Sequence, residues 1–222
     1  MDTYVIILAG GIGTRMETAI PKQFIPIAGK PVIMHTIQRF RDFDPKMEIV
    51  LALPDAHISL WKDLCNEFNF GVEHQIVRGG SERFFSVKNA LDRVPDEAIV
   101  LIHDGVRPLV SDKTIDRVRE RVIEKGNAIP YIASPDSLRI LLGDSSSAVD
   151  RSKFVRIQTP QGFRAKNIKE AYKKDFQKTF TDDASVLEAN GENIELVLGN
   201  NRNIKITQPI DLVLVESLMA DN

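Results

Sequence analysis

The residues best suited to chemistry in this chain are cations set beside glycines. Val5-Ile6-Ile7-Leu8-Ala9 runs into Gly10-Gly11-Ile12-Gly13-Thr14-Arg15-Met16, and Pro21-Lys22-Gln23 follows. Glycines at three of four positions allow positive φ and let a ligand approach the main chain closely. Successive N–H groups in such a loop form a concave anion site, sharpened here by Arg15 and Lys22. The loop is expected to wrap a phosphorylated ligand, a nucleoside triphosphate. It is not the dinucleotide fingerprint, because Met16 stands where the last glycine belongs, and no Gly-Lys-Ser/Thr closes a P-loop. A plain glycine turn with two solvated cations is the simpler alternative; the spacing of Arg15 and Lys22 favours the phosphate site.

Three other stretches carry candidate chemistry. Gly79-Gly80-Ser81-Glu82-Arg83, with Ser86 beyond it, is either a second anion- or base-binding turn at a helix start or a capped helix with an exposed arginine. His103-Asp104-Gly105-Val106-Arg107-Pro108 follows an apolar run. A carboxylate there, three residues before an arginine, suits Mg²⁺ beside a triphosphate, since Mg²⁺ takes one or two carboxylates plus phosphate oxygens and water. The alternative is a local Asp104–Arg107 salt bridge. Thr181-Asp182-Asp183 opens a helix, where a threonine cap and an acidic first turn explain themselves. His103 is assigned packing or hydrogen bonding, and His35, His57 and His74 show no metal spacing.

These residues need a frame, and the hydrophobic pattern supplies one. Strands are expected at Tyr4–Ala9, Glu48–Leu53, Val72–Val77, Ala98–Ile102 and Asn127–Ala133. Helices are expected from Pro31 to about Phe40, His57–Phe68, Ser81–Leu91 and Ser111–Glu124. Trp61, Leu64, Cys65 and Phe68 share one helical face and read as core, as do Ile115, Val118, Val122 and Ile123. This alternation predicts an α/β fold: a Rossmann-like, mostly parallel sheet with helices on both faces, and ligands at the carboxyl ends of its strands.

The rhythm breaks over residues 134–158. Ser137–Leu142 and Lys153–Ile157 read as strands joined by Gly143-Asp144-Ser145-Ser146-Ser147, a hairpin projecting from the sheet. A two-stranded hairpin is marginal alone in water, so a second subunit is expected to cover it, giving a homodimer. Helices over Lys166–Gln177 and Asp182–Asn190, strands at Ile194–Leu198 and Asn203–Ile206, and a closing helix at Pro209–Met219 complete the chain. No linker divides it, so residues 1–222 are expected to form one domain.

Composition narrows the function classes. With 222 residues and 43% hydrophobic content the chain can bury a sizeable core, and a net charge of −2 supplies no global field for nucleic acid or membranes. One cysteine, Cys65, permits no intrachain disulfide, which fits a cytoplasmic setting. No signal-peptide pattern opens the chain, and no apolar run reaches the ~20 residues of a membrane span.

The motif Gly-Gly-x-Gly-Thr-Arg-Met with Pro21-Lys22-Gln23 resembles the signature of sugar-phosphate nucleotidylyltransferases. Six further pieces extend it in order: Gly80-x-x-Arg83-x-x-Ser86-Val87, His103-Asp104-x-x-Arg107-Pro108, Asp150-Arg151, Thr159-Pro160-Gln161, Thr181-Asp182-x-Ala184-Ser185 and Asn203-Ile204-Lys205-Ile206-Thr207. Together they resemble the 2-C-methyl-D-erythritol 4-phosphate cytidylyltransferase family over nearly the whole chain. The resemblance implies a homodimer whose arm reaches the partner's active site, and transfer of a cytidylyl group from CTP to methylerythritol phosphate, with Mg²⁺ and release of pyrophosphate. It implies that Arg15, Lys22 and Lys205 are catalytic. Leu8, Ala9, Gly10, Gly11, Gly13, Gly80, Ser81, Ser86 and Asp104 would bind the nucleotide, with Asp104 at the metal. Arg107, Arg151, Thr159, Thr181 and Thr207 would bind the polyol phosphate, Arg151 and Thr159 from the other subunit.

Gly105-Val106 replaces two alanines, and Ile7-Leu8-Ala9-Gly10-Gly11 replaces a Pro-Ala-Ala-Gly form. Both variants also resemble ribitol-5-phosphate cytidylyltransferase, which stands as the alternative. Asp150-Arg151 and the Thr181–Ser185 stretch favour methylerythritol phosphate. A nucleotide-binding regulatory protein without turnover would be expected to lack Arg15, Lys22 or Asp104. A nucleotide-sugar glycosyltransferase would be expected to carry Asp-x-Asp where Asp104-Gly105-Val106 stands.

Overall fold

The computed structural model describes residues 1–11 and 20–220. Gly13, Arg15 and Met16 of the glycine motif lie outside these described residues. The chain order is β1 (Thr3–Leu8), β2 (Pro26–Ile27), β3 (Lys30–Pro31), α1 (Val32–Phe43), β4 (Glu48–Leu53), α2 (Asp55–Glu67), β5 (Gln75–Arg78), α3 (Arg83–Leu91), β6 (Ile99–Asp104), α4 (Asp112–Lys125) and β7 (Asn127–Ala133). Then come β8 (Arg139–Leu142), β9 (Ser145–Ala148), β10 (Val155–Ile157), β11 (Gln161–Arg164), α5 (Ala165–Ala171), α6 (Asp183–Glu188), β12 (Leu196–Leu198) and α7 (Pro209–Ala220).

The main sheet runs β10-β7-β11-β6-β1-β4-β5, with β12 also on β7. Its β6-β1-β4-β5 half is parallel. Antiparallel β11 is inserted between β6 and β7. β1 is apolar on both faces because both are covered. Val5 and Ile7 join the cluster under α1, α2 and α4 with Ile37, Trp61 and Val118. Ile6 points the other way, to Val87, Ile168 and Leu187 of α3, α5 and α6. A third, smaller cluster seats α7 through Val215 on Ile27, Val106 and Ile206.

Several expectations are corrected. The hairpin pairs β8 with β9 rather than with residues 153–157; β10 instead joins the main sheet beside β7. Gly143 at the turn has φ +62, and both hairpin strands are exposed. The predicted strand at Asn203–Ile206 is irregular backbone: its hydrogen bonds go to local turns and to Val106 O. Ile123 lies 53% exposed rather than inward. The helix after β11 ends at Ala171, well short of Gln177. Strand β5 begins at Gln75, three residues later than Val72. The strand Glu48–Leu53 has the predicted bounds.

Candidate active site

The carboxyl ends of parallel β1 and β6 lie side by side, with Leu8 opposite Asp104 in the register. Above them opens a cavity of about 470 Å³, within the range of small-ligand sites. One wall is the backbone of Leu8, Ala9, Gly10 and Gly11. Buried Gln23 braces that wall by donating from Nε2 to Ala9 O at 2.8 Å. The opposite wall is the turn before α3, with Gly80, Ser81 and Ser86. Ser86 Oγ accepts from Gly80 N–H at 3.0 Å, so the hydroxyl shapes the turn. The helix N-cap is Glu82 rather than the predicted Ser81. Gly80 is required here: a Cβ would fall 2.2 Å from Phe85 Cβ.

The floor carries the charge. Asp104 Oδ2 accepts from Arg107 Nε at 3.0 Å and from Lys205 Nζ at 3.1 Å. Burial pushes the Asp104 carboxyl up, but Lys205, Arg107 and Arg83 outweigh it and hold it below the usual carboxylate range; it is ionised. Lys22 faces the same cavity and donates from Nζ to Ile206 O at 3.0 Å. Lys22 and Lys205, distant in sequence, thus line one pocket with Asp104. The Asp104–Arg107 salt bridge, the alternative reading of this stretch, does form, on a carboxylate that lines the cavity.

Gly105 explains one departure from the commoner motif. Its N–H donates to Leu8 O at 2.8 Å, and a Cβ there would lie 3.0 Å from that same oxygen. The replacement is therefore a matter of how closely the loop approaches β1.

The remaining predicted residues lie further out. Thr159, expected to serve the other subunit's site, is instead buried beside the site of its own chain, where its hydroxyl accepts from Asp104 N–H at 3.1 Å. Arg107 donates from Nη1 to Asn203 O at 2.8 Å, behind Asp104. Thr207 precedes α7, and its N–H and hydroxyl donate to Asp211 Oδ2 in that helix's first turn. Thr181 is exposed before α6. Arg151 is on the arm side, donating from Nη1 to Pro135 O at 2.6 Å.

Sequence reasoning places Arg83 in a candidate anion- or base-binding turn but gives it no role of its own. It lines the cavity and forms a bidentate pair with Asp183 at 2.7 and 2.6 Å. Burial opposes its charge, but Asp183 outweighs that and raises its pKa. Tyr172 Oη also donates to Asp183, at 2.6 Å. Asp182, rather than the expected Thr181, caps α6, in a capping box with Ser185; Asp183 does more than sit in an acidic first turn. The available signal was two adjacent aspartates where a cap needs one.

Among the described residues no three His, Cys, Asp or Glu side chains gather as a metal site. A single ionised carboxylate, Asp104, fits a cation carried largely by substrate phosphates rather than caged by protein.

A glycine-ended parallel strand, a serine-glycine turn across from it and a cationic floor define a nucleotide-binding α/β fold with its ligand site at the strand ends. Comparison with known proteins then narrows the class. The family model described as 2-C-methyl-D-erythritol 4-phosphate cytidylyltransferase matches residues 3–221. A protein of that name from Phocaeicola vulgatus is 47% identical over 219 residues, covering 99% of this chain and 100% of its own length. One from Bacillus velezensis is 36% identical, covering 99% and 96%. The crystal structure of the Thermus thermophilus protein of that name superposes with a TM-score of 0.78 at 32% identity, covering 99% of this chain and 100% of its own. That of a 4-diphosphocytidyl-2C-methyl-D-erythritol synthase from Anaerococcus prevotii reaches 0.83 at 26% identity, covering 99% and 96%. The chain belongs to the 2-C-methyl-D-erythritol 4-phosphate cytidylyltransferase family.

Proposed function

We propose that the chain transfers the cytidylyl group of CTP to 2-C-methyl-D-erythritol 4-phosphate, in isoprenoid precursor synthesis. The observation that carries this reading is the convergence of Lys22, Lys205 and Asp104 on one cavity bounded by the Leu8–Gly11 backbone and the Gly80–Ser86 turn, in a chain of this family.

A phosphate oxygen of the acceptor attacks the α-phosphorus of CTP in line. A new P–O bond forms, the bond to the β-phosphate oxygen breaks, and its electron pair leaves with pyrophosphate. The nucleophile is already an anion, so no general base is needed. The protein's share is positioning and charge neutralisation. Arg15, Lys22 and Lys205 hold the triphosphate and offset charge at the α-phosphorus. The Leu8–Gly11 and Gly80–Ser86 backbones, with Gly13, seat the nucleoside. Asp104 aligns Lys205 and Arg107 and supplies a carboxylate for Mg²⁺. Bound Mg²⁺ would screen phosphate charge. Arg107, Thr159, Thr181 and Thr207 of one subunit, with Arg151 brought by the arm, complete the acceptor side.

The arm fits a homodimer: Leu141 and Leu142 of the hairpin, and Phe154 and Ile157 that follow it in the chain, are exposed apolar side chains of the kind a partner would cover. No helix among the described residues is long and apolar enough to cross a membrane, in keeping with action on water-soluble substrates.

The test is pyrophosphate release with CTP, UTP or ATP, each against methylerythritol phosphate and ribitol 5-phosphate. Release with CTP and methylerythritol phosphate is expected. Release with ribitol 5-phosphate instead would keep the chemistry and change the acceptor. CTP binding without release from any pair would favour a regulatory role.

A further inference from the structure

His103 is fully buried at the end of β6 and is one residue from Asp104. Its Nε2 lies 3.1 Å from Arg107 O, and its Nδ1 lies 3.0 Å from Thr159 Oγ1. A carbonyl oxygen only accepts, so Nε2 carries the hydrogen and, in a neutral ring, Nδ1 accepts. Thr159 Oγ1 therefore donates to Nδ1 while accepting from Asp104 N–H. The imidazole plane is fixed from the other side by Phe40, edge-on at 4.9 Å.

A second path closes the figure. Arg107 Nη1 donates to Asn203 O, and Asn203 Nδ2 donates to Thr159 O at 2.7 Å. His103, Arg107, Asn203 and Thr159 thus form a closed ring of hydrogen bonds under the Asp104 carboxylate. Asn203 is wholly buried and leaves its Oδ1 without a hydrogen-bond partner among the described residues. Such a group is normally satisfied, so Asn203 is retained for what its other atoms hold.

We propose that His103, in the Nε2–H tautomer and through the Arg107 main-chain carbonyl, and Asn203, through the guanidinium, are positioning residues that keep Arg107 against Asp104 and thereby set the acceptor end of the site. Neither touches the cavity wall; both act through Arg107. The inference rests on the reading of Arg107 as the acceptor-phosphate arginine, and two measurements keep the two apart.

The first is independent of turnover: the ¹⁵N signals of the His103 ring at neutral pH. A protonated Nε2 and bare Nδ1 are expected; the opposite tautomer or a mixture overturns the ring. The second is steady-state kinetics of His103→Phe, which keeps the ring packing on Phe40 and removes both hydrogen bonds. The KM for methylerythritol phosphate should rise about tenfold, as for one lost buried hydrogen bond, while the KM for CTP stays within about twofold. On an Arg107→Lys background the same substitution should add little further, because residues acting through one another do not add. Equal shifts in both KM values, or full additivity with Arg107→Lys, would reduce His103 to a packing residue. If His103→Phe does not fold, Asn203→Leu removes the Nδ2–H bond to Thr159 O with little change in outline, and the same acceptor-selective, non-additive loss is expected. An inactive wild-type protein with the expected tautomer would count against the acceptor reading and not against the ring.

Discussion

At the scale of single residues the account makes its sharpest demands on two lysines. Lys22 and Lys205 come from opposite ends of the chain and meet across one cavity. Lys22→Ala should lower kcat by roughly a hundred- to a thousandfold, the usual size of a lost transition-state charge contact, while the melting temperature stays put. Undiminished kcat would remove Lys22 from the chemistry. Gly80→Ala should act differently: its methyl would strike Phe85 and push the turn aside, raising the KM for CTP more than that for the acceptor. Lys22 and Asp104 are legible in the sequence because a lysine behind a glycine loop and a carboxylate at a strand end have few other uses. Lys205 is legible only through the family resemblance, since a lone lysine on a late apolar stretch looks like surface. Arg83 and Asp183 are hidden, because their partnership spans a hundred residues and each looks locally like an ordinary helix-start residue. His103 is legible as a packing or hydrogen-bonding residue, but its partners, like those of Asn203, are set by tertiary contact.

At the scale of elements, the longer strands of the sheet follow from their sequence. Glu48–Leu53 and Asn127–Ala133 are apolar runs bounded by turn residues, and both strands have the predicted bounds. What cannot be read is β11, a short strand slipped antiparallel between β6 and β7. Four residues with no clear alternation give little pattern, and pairing partners far apart give none. Gly162 is its key position: a Cβ would lie 2.5 Å from Val118 and 2.8 Å from Val122 of α4. Those valines have stiff side chains, so Gly162→Ala should cost about 1–3 kcal/mol by overpacking, seen as a lowered urea midpoint. An unchanged midpoint would mean that α4 can lift off the strand. The hairpin is legible but its second strand is not, because Ser145–Ala148 is too polar and short to look like a strand.

At the scale of the whole molecule, two properties depend on many residues together. Exposed Leu141, at 82%, heads the apolar arm; Leu141→Asp should shift the mass measured by light scattering from dimer to monomer, and a wild-type monomer would contradict the proposed assembly. The second property is acid sensitivity. Burial lowers the pKa of His35 and His74, and that of His103 to about 4. Unfolded, each binds a proton near pH ~6.5. Between those limits the unfolded chain holds more protons than the folded one. Stability is therefore fully present above pH ~6.5 and declines as pH falls towards about 4. For His103 alone the loss across that window is roughly 3 kcal/mol. Melting temperatures should hold from about pH 7.5 to about pH 6.5 and fall from there to about pH 5, and a flat profile over the lower range would deny the buried, neutral state of these rings.

The claim on which the rest depends is cytidylyl transfer itself. The measurement that reaches it most directly follows the α-phosphate of labelled CTP in the presence of Mg²⁺ and methylerythritol phosphate. The account predicts that the label passes into a product carrying both the cytidine and the acceptor, one for each pyrophosphate released, and that Lys22→Ala and Lys205→Ala each slow the transfer. Labelled CTP that binds and remains intact with every acceptor would contradict it.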